Sequence, residues 1–256
     1  MEFTIRLAGV NIEVKSLYDE VYSLCKDYVV ADTERPDYGA TAKQHLTVAI
    51  SPEDIVYERE KNRLESEIEV IPVVNYSDAY LETLAVYRKI ATKILDYDTF
   101  LMHGAVISVE NKGWLFTAPS GTGKTTHLRL WLENIQGSYI VNGDKPLIHI
   151  GEEVTVFGTP WAGKEGMQKN TGVTLKGIVM LERSADNRIE QISFLEALPV
   201  LIQQAYRPND KAELEKTLGL IKKLSSRVAF WRLHCNILPE AATTAYQALN
   251  EDGWVQ

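Results

Sequence analysis

The sequence predicts an α/β protein in two parts, a small α+β unit followed by a larger unit built around a strand, a glycine-rich loop and a helix. Three observations predict it. The first fifteen residues alternate, with Phe3, Ile5 and Leu7, then Val10, Ile12 and Val14, as two strands joined at Gly9. Residues 77–96 carry Tyr80, Leu84, Tyr87, Ile90, Ala91 and Ile94 at helical spacing behind Ser77, a good capping residue. From Phe100 the pattern turns to strands that lead into Ala118-Pro119-Ser120-Gly121-Thr122-Gly123-Lys124-Thr125-Thr126. The expected boundary lies between residues 76 and 77, giving units 1–76 and 77–256.

In order along the chain, the two opening strands are followed by a predicted helix over 17–30, from Leu17, Val21, Leu24 and Cys25, and by a strand over 46–50. Ser51-Pro52-Glu53-Asp54 starts a helix, with serine as cap, proline in the first turn and acids near the N-terminus. Residues 61–69 are rich in charge and poor in apolar side chains, and read as a polar edge or connection. After the 77–96 helix, Leu101–Val109 reads as one strand, Glu110-Asn111-Lys112-Gly113 as a hairpin turn, and Trp114–Thr117 as the return strand. A helix over 125–135 follows, then β-rich segments at 139–148, 154–158, 175–181 and 228–233, and amphipathic helices at 194–206 and 212–224.

Composition narrows the function. The chain has 256 residues, 27 Lys+Arg against 35 Asp+Glu, and 45% apolar content, enough for a sizeable core. Residues 1–97 hold 11 basic and 18 acidic side chains, and residues 98–256 hold 16 and 17. Neither part has the basic excess that nucleic acid or an anionic membrane surface demands, so neither is an expected partner. No apolar stretch is long enough to cross a bilayer. No basic stretch followed by an apolar one opens the chain, and Cys25 and Cys235 lie far apart in no metal-ligand spacing. A cytoplasmic setting is expected.

The chemistry is concentrated at residues 118–126, between an apolar strand and a helix, the context a phosphate-binding P-loop requires. Gly121 and Gly123 can adopt angles that turn successive amides toward a phosphate, and the helix N-terminus behind them favours negative charge. Ser120, Gly121, Thr122, Gly123, Lys124, Thr125 and Thr126 are the candidate nucleotide-binding residues. Lys124 reaches phosphate oxygens, and the Thr125 hydroxyl suits Mg²⁺. Ala118 stands where the usual pattern has its first glycine. His127 is expected on the exposed side of the helix. His45, His149 and His234 show no partner pattern.

The run Phe100-Leu101-Met102-His103-Gly104-Ala105, a hairpin, and then Ser120–Thr126 resembles the core shared by HPr kinase/phosphorylase and ATP-dependent phosphoenolpyruvate carboxykinase. The likeness spans roughly residues 98–210. It implies an α/β fold of the carboxykinase/HPr-kinase type, a P-loop domain with a mixed, curved sheet, here preceded by a small α+β domain. It implies ATP and Mg²⁺ as cofactors and transfer of the γ-phosphoryl group to a hydroxyl on a serine-bearing peptide, a protein or a small molecule. By the same resemblance His103 lies near the reacting phosphate. The family's acidic pair falls on Gly143 and Asp144, so Asp144 alone remains as metal ligand or base. The Asn142-Gly143-Asp144 run also reads as a turn.

Gly158-Thr159-Pro160-Trp161-Ala162-Gly163-Lys164 and Gln204-Ala205-Tyr206-Arg207-Pro208 look like bacterial proteins described as HPr-kinase-like. Lys164 and Arg207, each in a loop-like stretch, are candidate cations for transition-state charge, and Arg207 is counted with His103, Lys124 and Asp144 as catalytic. Trp161 is a candidate for shaping the acceptor pocket. The family resemblance suggests a homo-oligomer. No arginine-glycine signature of HPr docking follows residue 150, and the chain is about half the usual carboxykinase length. A kinase with a different acceptor is therefore expected, with a non-catalytic ATP sensor or a small carboxykinase as alternatives.

Overall fold

Strands β1 (Glu2–Leu7) and β2 (Val10–Lys15) pair antiparallel in full register, Glu2 opposite Lys15 and Leu7 opposite Val10. Ala8 and Gly9, at φ 49° and 78°, form the turn between them. The computed structural model describes residues 1–30 and 45–250. Within them, β3 (His45–Ala49) lies parallel to β2 and completes a three-stranded sheet.

Helix α1 (Glu20–Cys25) is much shorter than the predicted 17–30. A 3₁₀ turn at Lys26–Tyr28 ends it, and Val29 and Val30 then lie along β1, with the Val30 amide donating to Thr4 O at 2.9 Å. Strand partners available in the sheet displace the helix there. Helix α2 (Pro52–Glu69) starts where Ser51 predicts, with the Asp54 carboxylate accepting from the Ser51 amide at 3.0 Å. It then runs straight through 61–69, which corrects the expected connection. Lys, Arg and Glu are good helix formers, and pairs such as Arg63–Glu60 at 2.6 Å and Lys61–Glu65 at 3.8 Å lace the polar face.

Helix α3 (Asp78–Lys93) is capped by Ser77, whose Oγ accepts from the Tyr80 amide at 3.2 Å. Its fully buried Glu82 accepts hydrogen bonds from the Leu17 and Tyr18 amides. Its Arg88 reaches Asp54 at 3.0 Å and also Glu58, and Lys89 donates to Ala49 O at 2.9 Å. These bonds tie α3 to α2, to β3 and to the residues after β2. The chain accordingly divides at Tyr97/Asp98, not at the expected 76/77.

The second unit holds β4 (Thr99–Leu101), β5 (Ala105–Val109), β6 (Lys112–Thr117), α4 (Lys124–Asn134), β7 (Tyr139–Asn142), β8 (Leu147–Ile150) and β9 (Val154–Phe157). There follow β10 (Gly172–Arg183), β11 (Arg188–Ile192), α5 (Phe194–Gln204), α6 (Lys211–Leu224), β12 (Ala229–Cys235) and α7 (Glu240–Asn250). The sheet is mixed, in the order β4-β8-β9-β10-β6-β5-β7 among the described residues. β12 also pairs with β10, and β11 with β12. β10 runs parallel to β6 and to β12, and the other pairings are antiparallel. Trp114, Phe116, Val179 and Leu233 from the sheet pack with Trp131 of α4 and Ala241 and Ala245 of α7 in its core, the two indoles 5.9 Å apart.

Three further expectations are corrected. The hairpin turn is only Glu110 and Asn111, at φ 50° and 63°, while Lys112 and Gly113 belong to β6. The segment 101–109 is two strands, because β4 pairs with β8 whereas β5 pairs with β6 and β7. The segment 139–148 likewise splits, β7 lying on β5 and β8 between β4 and β9. The β5 and β7 sides of these breaks lie at the end of the sheet where β6, β10 and β12 finish. Loops and termini from distant parts of the sequence are thereby gathered there.

Candidate functional site

The glycine-rich loop occupies 118–123 at this end, between β6 and α4. Gly121 and Gly123 take φ of 77° and 121°, angles that favour glycine, and an added Cβ would meet nothing within 4 Å at either. Glycine is therefore needed for conformation, not for space. Ala118 is buried and does not take a positive φ, so the missing first glycine costs nothing at that position. Lys124 opens α4 and folds back on the loop, donating to Ala118 O at 2.8 Å. Burial lowers its pKa, an effect that the Asp144 carboxylate partly offsets. Thr122 Oγ1 donates to Pro119 O at 2.9 Å, while Ser120 and Thr126 are exposed and Thr125 is half-buried.

His103 lies in the break between β4 and β5, and three backbone bonds build that break. The Met102 amide donates to Pro146 O at 3.2 Å, the His103 amide to Gln204 O at 2.7 Å, and the Gly104 amide to Asp144 O at 2.9 Å. The imidazole Nε2 stands 3.1 Å from Asp144 Oδ1, and Nδ1 stands 2.8 Å from Gln204 Oε1. Lys145 Nζ donates to the other Asp144 oxygen at 2.8 Å. Burial acts to raise the Asp144 pKa, but the His103 bond and the Lys145 ammonium outweigh it and hold the carboxyl below its ordinary value.

Asn142 shapes the turn that presents Asp144. Its Oδ1 accepts from the Asp144 amide at 2.9 Å and the Lys145 amide at 2.7 Å, and its Nδ2 donates to Thr159 O at 3.0 Å. Gly143 is pressed by backbone. Its amide donates to Met167 O at 2.9 Å, and a Cβ at this residue would sit 3.0 Å from Ala162 O and 3.4 Å from Met167 O. Gly163, at φ 75°, brings the 161–166 loop onto Asp144, where a Cβ would lie 3.2 Å from Asp144 Cβ. Arg129 of α4 pairs with Glu165 of the same loop at 2.7 Å.

A cavity of about 370 Å³ opens beside the glycine-rich loop, walled by Gly121–Gly123, Thr126, the end of β10 and the residues after β12. Arg183, the last residue of β10, donates to Thr122 O at 3.0 Å and also to Gly121 O. Of the expected residues, the fold brings together Lys124, Asp144 and His103. Lys164 and Arg207 are exposed, Arg207 standing three residues beyond Gln204, and neither is bound into the His103–Asp144 cluster.

His127 corrects an expectation. It is 2% exposed, packed on Phe116 with ring centroids 4.7 Å apart, and its Nε2 accepts from Trp131 Nε1 at 2.9 Å. Burial pushes its pKa down to about 4. The expected exposed face of α4 is therefore turned to the core at this residue. Reading the sequence alone missed Arg183, Lys145 and the Gln204 side chain. Lys145 was visible as the neighbour of Asp144, but a lone arginine at a strand end carries no local signal.

Among the described residues there is no cluster of three or more His, Cys, Asp or Glu positioned to hold a metal, and no helix is long and apolar enough to cross a membrane. Asp144 and the Thr125 hydroxyl offer hard oxygen donors, which suits Mg²⁺, an ion that usually takes one or two protein ligands beside phosphate and water. The buried ammonium of Lys124, bonded only to neutral carbonyls, suits an anionic group.

No protein-family model matches the chain, and no curated protein matches it by sequence. Among solved structures it is similar to the HPr(Ser) kinase/phosphatase from Coxiella burnetii, over 58% of this chain and 95% of that one, at 12% identity and a TM-score of 0.35.

Proposed function

We propose that the second unit is a Mg²⁺–ATP-dependent kinase that transfers the γ-phosphoryl group to a hydroxyl. The acceptor class is a serine-bearing peptide, a protein or a small molecule. One observation carries this reading: a glycine-rich loop with its helix-borne Lys124 and a His103–Asp144 pair meet at one end of the same sheet. The loop amides and Lys124 hold phosphate oxygens, and Ser120 and Thr126 supply hydroxyls beside them. Thr125 and Asp144 hold Mg²⁺, which neutralises phosphate charge when bound.

A carboxyl held below its ordinary pKa is a good metal ligand and a poor proton acceptor, so Asp144 serves the metal. His103 donates from Nε2 to Asp144 and so orients that carboxylate, and the acceptor hydroxyl gives up its proton to solvent as it attacks. As the acceptor oxygen bonds to phosphorus, the bond to the β-phosphate oxygen breaks and ADP leaves. Gln204 fixes the imidazole from its far side. Arg207, on the segment beyond Gln204, supplies charge to the transferring group on closure. Self-association and a cytoplasmic setting belong to the same reading.

The test is transfer of label from γ-labelled ATP with Mg²⁺ into host extract, separated into protein and small-molecule fractions. Label is expected in one fraction with the intact chain, falling at least roughly 100-fold with Lys124→Ala. Full transfer by Lys124→Ala overturns the reading. Gly143 favours a second reading, a non-catalytic ATP sensor, because no side chain stands at that position. ATP binding with no label in either fraction selects it.

A further inference from the structure

Resting on that reading of the loop as a phosphate site, we propose that Arg183 is a positioning residue that sets which way the loop peptides face. Peptide planarity is the starting point. In a trans peptide the carbonyl of one residue and the amide N–H of the next point in opposite directions. Arg183 binds the carbonyls of Gly121 and Thr122 from the β10 side. The N–H groups of Thr122 and Gly123 are therefore turned away from β10. That of Thr122 is drawn toward Pro119 O, at 3.3 Å.

Besides Arg183, only the bonds of the Thr122 amide and hydroxyl to Pro119 O oppose a flip. Gly121 and Gly123 flank Thr122, and glycine tolerates both signs of φ. An added Cβ at either would touch nothing, so no neighbour presses on that side of either glycine. A flipped peptide would aim a carbonyl oxygen where an anion must sit, and that repels phosphate. Arg183 opposes the flip with a rigid fork matched to two acceptors, a task a lysine ammonium does not reproduce. Its anchorage is firm, because β10 is paired through Arg183 itself, which lies opposite Cys235 of β12. The same side chain walls the cavity beside the loop, so loop orientation and cavity shape are joined in one residue.

The experiment is calorimetric titration of the full chain with Mg–ATP, comparing wild type, Arg183→Ala, Arg183→Lys and Lys124→Ala. Both Arg183 variants are expected to bind roughly ten-fold more weakly than wild type, the loss of two charge-assisted hydrogen bonds at an exposed site. Their thermal midpoints are expected to stay at the wild-type value. Arg183→Ala binding within two-fold of wild type overturns the proposal. So does wild-type affinity in Arg183→Lys, which would mean that a point charge, not a two-carbonyl fork, is what the site uses. Loss of binding in Lys124→Ala with neither Arg183 variant affected removes this proposal and leaves the kinase reading standing. Wild type failing to bind Mg–ATP removes both.

Discussion

The front unit and the second unit both bury charged side chains, and they treat them differently. In the front unit each charge is answered where it stands. Glu82 accepts two backbone amides, Glu58 meets Arg88, and Asp54 is shared by Arg88 and Lys89. In the second unit His103 and Lys145 converge on the single carboxylate of Asp144, and Lys124 gives its hydrogen bonds to loop carbonyls while Asp144 acts on it through space. Closed sets hold a fold together. An ammonium whose hydrogen bonds go to neutral oxygens keeps charge that an anionic ligand can claim. Burial of charge alone therefore does not mark a site, whereas the completeness of its partners separates the two cases.

The contrast breaks most visibly at Asp144. Asp144→Asn is expected to lower phosphoryl transfer by roughly 100-fold or more while moving the unfolding midpoint by no more than about 3 °C. A large loss of stability with transfer intact would make Asp144 one more structural charge. Glu82→Gln tests the other side. It leaves one buried amide facing an NH₂ group, and is expected to cost about 2–3 kcal/mol in urea unfolding, with transfer per folded molecule unchanged. Loss of transfer in a folded Glu82→Gln protein would place the front unit in the chemistry.

The smallest effect concerns His127, a buried group that stays neutral. Unfolded, an imidazole takes up its proton near pH 6.5, but folded His127 does so only at about 4. The unfolded state therefore binds more protons across that window, and stability drops as pH falls from about 6.5 to about 4. Between pH 6 and 5 the loss from this group is about 1 kcal/mol. Chemical denaturation at the two pH values is expected to show His127→Gln, which keeps an acceptor for Trp131, with a shallower loss than wild type. Equal slopes would show that His127 does not set the acid limit.

Legibility in the sequence followed distance along the chain. The loop at 118–126 was readable because its conformational demands fall on adjacent residues, Gly121 and Gly123, followed at once by Lys124. The β1–β2 hairpin and the Ser51 and Ser77 helix starts were readable for the same reason. What escaped depends on partners far away. α1 stops early because Val29 finds β1, and the strand through His103 breaks because Pro146, Asp144 and Gln204 take its backbone bonds. α2 continues through 61–69 because i,i+4 ion pairs need no apolar stripe. Resemblance pointed to His103 and Asp144, but not to the break that lets them meet. His127 was misplaced by a helical-face argument that could not see Phe116 and Trp131 closing over it.

Gly143 has a consequence for how this chain can change. A carboxylate there needs a Cβ in space that the Ala162 and Met167 carbonyls already crowd. An acid at this position therefore requires the backbone at Ala162 to give by a few tenths of an ångström.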